Sequence, residues 1–246
     1  MNSTSMINPL LSIVIPAYNE ELRLPATLQT IHTFLQEQSY PAEVIVVENG
    51  SSDRTLQIAQ ETSKTMPELG FLHSQERGKG LAIKLGMLAA RGEYRFICDV
   101  DLSMPIEEVN RFIPPILKDT AVAIASREAR GAVRYGEPAY RHFIGRVFNG
   151  MVRWMALPGL QDTQCGFKCF RADVVEKVFP RMTMQGWTFD VEALVLARQL
   201  GYRIVEVPIP WYYNPHSKVR VVRDSLAMAR DLLTIRLNLL RGNYER

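Results

Sequence analysis

The sequence predicts an α/β fold: a Rossmann-like, mainly parallel sheet with helices on both faces, followed by a less regular second half that closes in a long amphipathic helix. Three observations predict it. Strand and helix signals alternate through the first half. The strands are apolar throughout, as strands covered on both faces are. The polar motifs fall where the strands end, which is the edge at which parallel sheets bind ligands.

Residues 11–16 are an unbroken apolar run and read as the first strand, and 24–38 as a helix. Residues 43–48 enclose Val44, Ile45, Val46 and Val47 and form a second strand, with a helix expected over 53–66. A helix over 79–91 precedes a strand over 94–98. Pro105 suits a first helical turn, so a helix is expected over 105–118, then a strand over 120–126. Farther on, 140–156 reads as a helix with an apolar face, 166–170 as a short strand and 189–200 as a helix capped by Gly201. A strand over 203–207 and a helix over 221–240 complete the chain. In that last helix Leu226, Ala229, Leu233, Leu237 and Leu240 recur at three-to-four spacing, the usual mark of a core-facing stripe. Arg223, Arg230 and Arg236 among them also suit an anionic membrane surface.

The chain has 246 residues, 47% hydrophobic and 22% charged, the composition of an ordinary globular protein. No repeat, low-complexity segment or linker divides it, so a single domain is expected. A net charge of +3 gives no reason to expect a nucleic-acid partner. The charge is uneven, however: residues 127–153 hold six arginines against two glutamates, and 217–246 seven Lys/Arg against three Asp/Glu. Two basic regions point to phosphates or a membrane surface. Cys98, Cys165 and Cys169 lack a framework spacing and read as core thiols in a reducing compartment. No signal peptide and no spanning run is expected, so a cytoplasmic protein, soluble or peripheral on a membrane, is anticipated.

Cys98-Asp99-Val100-Asp101-Leu102 is the most informative stretch. Neighbouring side chains of a strand point to opposite faces, so Asp99 and Asp101 leave the sheet on one side. Paired carboxylates there suit a hard cation, Mg²⁺ or Mn²⁺, and such an ion suits a diphosphate; the plainer alternative is a solvated turn with Asp as a cap. After the first strand, Tyr18 offers a ring for a base and Glu20 an acceptor for ribose, or the stretch is only a helix entry. Glu48-Asn49-Gly50-Ser51-Ser52-Asp53 is a tight loop in which Glu48 suits ribose hydroxyls and Asp53 a helix cap. Arg77-Gly78-Lys79-Gly80 opens a helix with free N–H groups and a cation, which suits an anion. It lacks the spacing of a Walker A loop, and no G-x-G-x-x-G follows the first strand, which argues against a nicotinamide enzyme.

Pro16-Ala17-Tyr18-Asn19-Glu20, the Gly50-Ser51-Ser52-Asp53 loop, Arg77-Gly78-Lys79-Gly80 and the Asp-x-Asp pair occur in the order seen in family 2 glycosyltransferases of GT-A fold, which the chain resembles from about Leu11 to Leu240. Three later stretches are similar to polyprenyl-phosphate sugar transferases, most of all dolichyl-phosphate β-glucosyltransferases. They are Asp162-Thr163-Gln164-Cys165-Gly166-Phe167-Lys168, Trp187-Thr188-Phe189-Asp190-Val191-Glu192, and Glu206-Val207-Pro208 with Ser217-Lys218.

The resemblance implies a nucleotide-sugar half over 1–126 and an acceptor half over 127–246. It implies donor contacts from Pro16, Tyr18, Glu20, Val47, Glu48, Asp53, Lys79, Asp99 and Val100, and a Mg²⁺ or Mn²⁺ site from Asp99, Asp101 and Ser103. Asp101, Asp190, Lys218 and Arg127 would form the catalytic set, with Arg127 facing the diphosphate and Lys218 the phosphates. Asp162, Gln164 and Ser217 would line the sugar and acceptor side. Asp190 is taken to point inward, since Glu192 lies on an adjacent helix face. The family's second motif usually reads Asp-Asp-Gly-Ser; Glu48-Asn49 here leaves GDP-mannose open beside the favoured UDP-glucose. The membrane-spanning segment of eukaryotic relatives is not expected here. The implied activity is inverting transfer of a hexose, glucose from UDP-glucose, to a polyprenyl monophosphate. The alternatives are a soluble acceptor, which activity on such a molecule alone would reveal, and a non-catalytic nucleotide-sugar or lipid-phosphate binding protein, which binding without turnover would reveal.

Overall fold

The computed structural model describes residues 8–215 and 221–244, with 221–223 described by backbone alone. Among the described residues, the main sheet has seven strands in the order β3-β2-β1-β4-β7-β5-β8. They are β1 Leu11–Ala17, β2 Ala42–Asn49, β3 Leu69–Ser74, β4 Tyr94–Ile97, β5 Val122–Ser126, β7 Lys168–Arg171 and β8 Ile204–Pro208. A small parallel pair joins β6 Val133–Tyr135 to β9 Pro210–Tyr212. Neighbouring strands of the main sheet run parallel, except that β7 runs antiparallel to both β4 and β5. The helices are α1 Leu24–Gln36, α2 Thr55–Thr62, α3 Lys79–Ala89, α4 Ala139–Met155, α5 Ala172–Val178, α6 Phe189–Gln199 and α7 Val221–Leu240.

The apolar strands are covered on both faces, as expected. In β1, Leu11, Ile13 and Ile15 pack into one core layer and Val14 into the other. One layer holds Phe96 edge-on between Phe112 and Phe167, with ring centroids 5.3 and 5.0 Å away. On the other, Gly86 of α3 lies so close to Val14 and Val47 that a methyl group there would overlap both side chains. That contact presses α3 flat against β1 and β2.

The strand order places the site. The chain runs outward from β1 through β2 to β3, then returns to put β4 on the other side of β1. The loops after β1 and β4 therefore diverge from adjacent strands, leaving a crevice at the switch point. Because β7 is antiparallel, its first residue, Lys168, pairs with Ile97 at the carboxyl end of β4. The loop leading into β7 is thereby carried to the same crevice.

Several elements differ from the sequence expectation. The helix expected over 105–118 is a 3₁₀ helix over Ile106–Phe112. Pro114 forces extended backbone on Ile113 and, with Pro115, removes helical N–H donors. Strand β3 lies outside the elements expected from the sequence: it is half exposed and contains Gly70, so it lacks a continuous apolar run. The short elements β6, β9 and α5 lie outside them too. In α7 the expected stripe faces outward: Leu226, Leu233, Leu237 and Leu240 are exposed, while Met228, Leu232 and Ile235 are buried. Apolar residues surround most of that helix, so spacing alone leaves its rotation undetermined. As expected, Cys98, Cys165 and Cys169 are buried free thiols.

Candidate active site

The crevice is a cavity of about 590 Å³, within the usual size of small-molecule sites. Its first wall comes from the end of β1 and the loop after it, through Pro16, Tyr18 and Glu20. Two hydrogen bonds lash this loop to the one after β2: Asn19 N–H donates to Ser51 Oγ (2.9 Å), and Ser52 N–H donates to Asn19 Oδ1 (2.8 Å). Asn19 turns the chain with φ of 51°, a conformation Asn tolerates better than most residues. Glu20 holds Arg23 by two 2.7 Å bonds, and the Arg77 guanidinium stacks 5.1 Å from the Tyr18 ring centre. The result is an aromatic face and a fixed carboxylate beside it.

The floor is the Asp-x-Asp turn, with Asp99, Val100, Asp101 and Ser103 all on the cavity. Thr27 of α1 donates to Val100 O at 2.5 Å and ties the turn down. Asp101 Oδ1 accepts from Ser103 N–H at 3.1 Å. Burial, then the charge of Asp99, raises the Asp101 pKa against the hydrogen bonding of Ser103 and the charge of Lys79. Lys79 Nζ lies 2.6 Å from Asp99 Oδ1 and 5.2 Å from the Trp187 ring centre. On the opposite side of Asp99, a Cβ at Gly166 would overlap its Oδ2, so glycine makes room for that carboxylate.

The far wall is basic. Arg127 grips Asp162 through Nε (2.7 Å), Nη2 (2.9 Å) and its backbone N–H (3.0 Å). The guanidinium also faces Trp211, 5.4 Å from the ring centre. Burial alone would raise the Asp162 pKa; the charge and hydrogen bonds of Arg127 bring it below the usual carboxylate range. Lys168 is buried, with its ammonium on Cys165 O and 3.4 Å from Asp190 Oδ2. Burial raises the Asp190 pKa, and the charge of Lys168 opposes the rise.

Pro16, Tyr18, Glu20, Lys79, Asp99, Val100, Asp101, Ser103, Arg127, Gln164 and Asp190 thus meet on one cavity. Four anticipated contacts are placed elsewhere. Val47 is core. Glu48 is buried beside the loop, where it accepts from Ser51 N–H and meets His73 Nδ1, both at 2.5 Å. Asp53 accepts from Glu21 N–H (3.1 Å) and Thr55 N–H (3.0 Å), joining the two loops. Asp162 is buried behind Arg127 and positions it. Ser217 and Lys218 lie outside the described residues. Asp190 and Glu192 are both buried but serve different places: Glu192 accepts from Thr183, Met184 and the Tyr244 hydroxyl. The sequence reading did not single out Arg23, Arg134, Lys168 or Trp211 as site residues, though all line the cavity. Of these, Lys168 had a readable signal, a lysine opening an apolar strand.

The carboxylate pair fits a divalent cation. It supplies two hard oxygen donors on the cavity floor, and the charge of Asp99 adds to burial in disfavouring a bare Asp101 carboxylate. No three His, Cys, Asp or Glu side chains converge on a metal position among the described residues. The remaining ligands would therefore be diphosphate oxygens and water, as Mg²⁺ commonly takes.

The profile of Glycosyl transferase family 2 matches residues 12–179. Dolichyl-phosphate beta-glucosyltransferase from Dictyostelium discoideum is 33% identical, over 99% of this chain and 79% of that protein. The Saccharomyces cerevisiae protein of the same name is 34% identical, over 95% and 76%. Glycosyltransferase AglD from Haloferax volcanii is 33% identical over 90% of this chain, which spans 36% of AglD. Among solved structures, glucosyl-3-phosphoglycerate synthase from Mycobacterium tuberculosis with Mn²⁺, UDP and phosphoglyceric acid superposes with a TM-score of 0.68. It is 16% identical and covers 94% of this chain and 78% of that one, a likeness of fold.

Proposed function

The chain belongs to glycosyl transferase family 2, and we propose that it is a metal-dependent, inverting hexosyltransferase that moves glucose from UDP-glucose onto a polyprenyl monophosphate. We take 1–246 as one catalytic domain working at the cytoplasmic face of a membrane. One observation carries the reading: Tyr18 and Glu20, the Asp99–Asp101 pair, and the cationic Lys79, Arg127 and Lys168 all line a single cavity. A nucleotide sugar laid across that pair presents its anomeric carbon to the far wall.

In the reaction an acceptor phosphate oxygen bonds to the anomeric carbon from the face opposite the diphosphate. The sugar–phosphate bond breaks, and its electron pair leaves with UDP. A Mg²⁺ or Mn²⁺ ion held by Asp99 and Asp101 would stabilise charge on the departing diphosphate. Tyr18 stacks on the base, and Glu20 takes ribose hydroxyls from its fixed position. Lys79 and Arg127 place positive charge where the diphosphate charge grows, and Lys218 is assigned the same task. Ser103 orients Asp101. Gln164, Asp190 and Ser217 position sugar and acceptor. An acceptor phosphate is already anionic near neutral pH, so Asp190 need not act as a strong base.

The test is turnover of purified protein with UDP-glucose, Mg²⁺ or Mn²⁺ and a short-chain polyprenyl phosphate, beside GDP-mannose and metal-free reactions. Metal-dependent UDP release with a glucosyl lipid supports every part of the reading. UDP release with only a soluble phosphorylated acceptor would replace the lipid, and donor binding without turnover on any acceptor would remove the enzyme.

A further inference from the structure

We infer that the exposed apolar row of α4 is a docking surface for an anionic lipid bilayer. The row is Tyr140, Phe143, Val147, Met151 and Trp154, spaced by three and four residues along one side of the helix. Phe143 is 69% and Trp154 86% exposed, where a helix bounded by water would carry polar groups. The other side is committed inward: Phe148 and Val152 are buried, and Ile144, Gly145, Phe148 and Asn149 line the cavity. Among the described residues, one helix therefore has the cavity on one side and an unpartnered apolar surface on the other.

Charge selects the occupant. Helix α4 contains Arg141, Arg146 and Arg153 and no acidic residue, and Arg146 and Arg153 are exposed beside the row. Two such faces brought together would set arginines against arginines, which disfavours a second copy. Anionic headgroups complement them. Tyr140 and Trp154 stand at the two ends of the row, and their amphipathic rings suit the headgroup boundary. An apolar side flanked by arginines is also what lets a helix lie in the plane of a membrane surface. Helix α7 packs against α4 and exposes Leu226, Leu233, Leu237 and Leu240, with exposed Arg230 and Arg236. Among the described residues no helix is long and apolar enough to cross a membrane, so this contact is one of lying on the surface.

The choice of a bilayer draws on the lipid acceptor proposed above, so binding and turnover are measured separately. The full chain is floated with phosphatidylcholine vesicles, with and without phosphatidylglycerol, and assayed in parallel on a water-soluble short-chain acceptor. The wild type is expected to float with the anionic vesicles and to release as salt rises. Phe143→Ser with Trp154→Ser should lower partitioning about tenfold or more, with solution turnover unchanged. Arg146→Gln with Arg153→Gln should weaken binding to anionic vesicles and flatten its salt dependence. A wild type that floats with neither vesicle, or a Phe143→Ser/Trp154→Ser variant that floats like wild type, overturns the docking surface whatever the turnover. A concentration-dependent dimer lost in that variant, without vesicle binding, gives the face to a second copy and overturns it equally. Floating without turnover leaves the docking surface standing and removes the proposed reaction.

Discussion

Lys79 Nζ and Asp99 Oδ1 are 2.6 Å apart on the cavity floor, so the first carboxylate of the Asp-x-Asp pair is held by an ammonium from the start of α3. Burial alone would lower the Lys79 pKa; the charges of Asp99, Asp190 and Asp101 together keep it above the ordinary lysine value. Lys79 is therefore a permanent cation at neutral pH, fixed beside the place where diphosphate charge develops.

Replacing Lys79 by Met removes that charge and keeps an unbranched side chain of similar length. Preorganised electrostatic groups of this kind are worth about 10²–10³ in kcat, so a loss of that order is expected, with partial recovery in Lys79→Arg. Steady-state kinetics with saturating donor and metal measure it. A kcat within about twofold of wild type, far short of the loss expected for such a group, would leave Lys79 as a brace for Asp99 only.

Asp101→Asn tests the other carboxylate. Its charge is disfavoured by burial and by Asp99, so a neutral amide removes a repulsion and leaves the melting temperature equal or higher. Turnover should nearly vanish, and added Mg²⁺ or Mn²⁺ should not restore it, whereas chelator-treated wild type recovers on addition of metal. Substantial turnover of the variant at saturating metal would exclude Asp101 as a ligand.

Gly166 and Gly86 separate catalytic from structural crowding. A methyl group at Gly166 runs into the Asp99 carboxylate, while one at Gly86 runs into Val14 and Val47 in the core. Gly86→Ala is expected to destabilise by about 1–3 kcal/mol, the usual range for overpacking, with turnover per folded molecule preserved. Gly166→Ala should show the reverse: little change in the unfolding midpoint and a large fall in kcat. Equal effects on both measures would mean that the Asp99 turn relaxes as a body around the added group.

Much of this architecture was readable because the sheet is buried on both sides. The apolar runs that became β1, β2, β4 and β5 have few alternatives, and the motifs at their ends had to meet at the switch point. Edges and partners were harder. Strand β3 is half exposed and interrupted by Gly70, so its residues carry little of the apolar signal that marks a strand. The direction of Glu48 depends on His73, 25 positions away, and that of Asp162 on Arg127, 35 positions away. The family resemblance implied ligand contact for both acids and for Asp53. The loop itself reads Asp53 as a helix cap, and Asp53 does accept from Thr55 N–H at the start of α2. A carboxylate at a strand end looks alike whether its partner is a ligand or the protein. The outward face of α7 was unreadable for a related reason: a helix apolar on most sides is rotated by its neighbours, here α4.

The Arg127–Asp162 pair supplies the clearest pH signature. Asp162 is fully buried and accepts four N–H bonds, three from Arg127 and one from Gln164. Asp162→Asn would leave the Arg127 guanidinium without its counter-charge, a loss typically of about 3–5 kcal/mol for a broken buried pair. The pair holds the folded-state pKa of Asp162 below its unfolded value, which is about 3.9 for a free Asp. Its stabilisation is therefore complete above that unfolded value and is lost as pH falls through the lower folded one. Denaturant unfolding of wild type and Asp162→Asn should differ most at neutral pH, with the gap narrowing only in strong acid. A gap that stays constant from neutral to acid pH would mean that the amide of the variant keeps the hydrogen bonds and the charge contributes little. Because Arg127 also lines the cavity, the same variant should lose turnover at neutral pH even at temperatures where it remains folded.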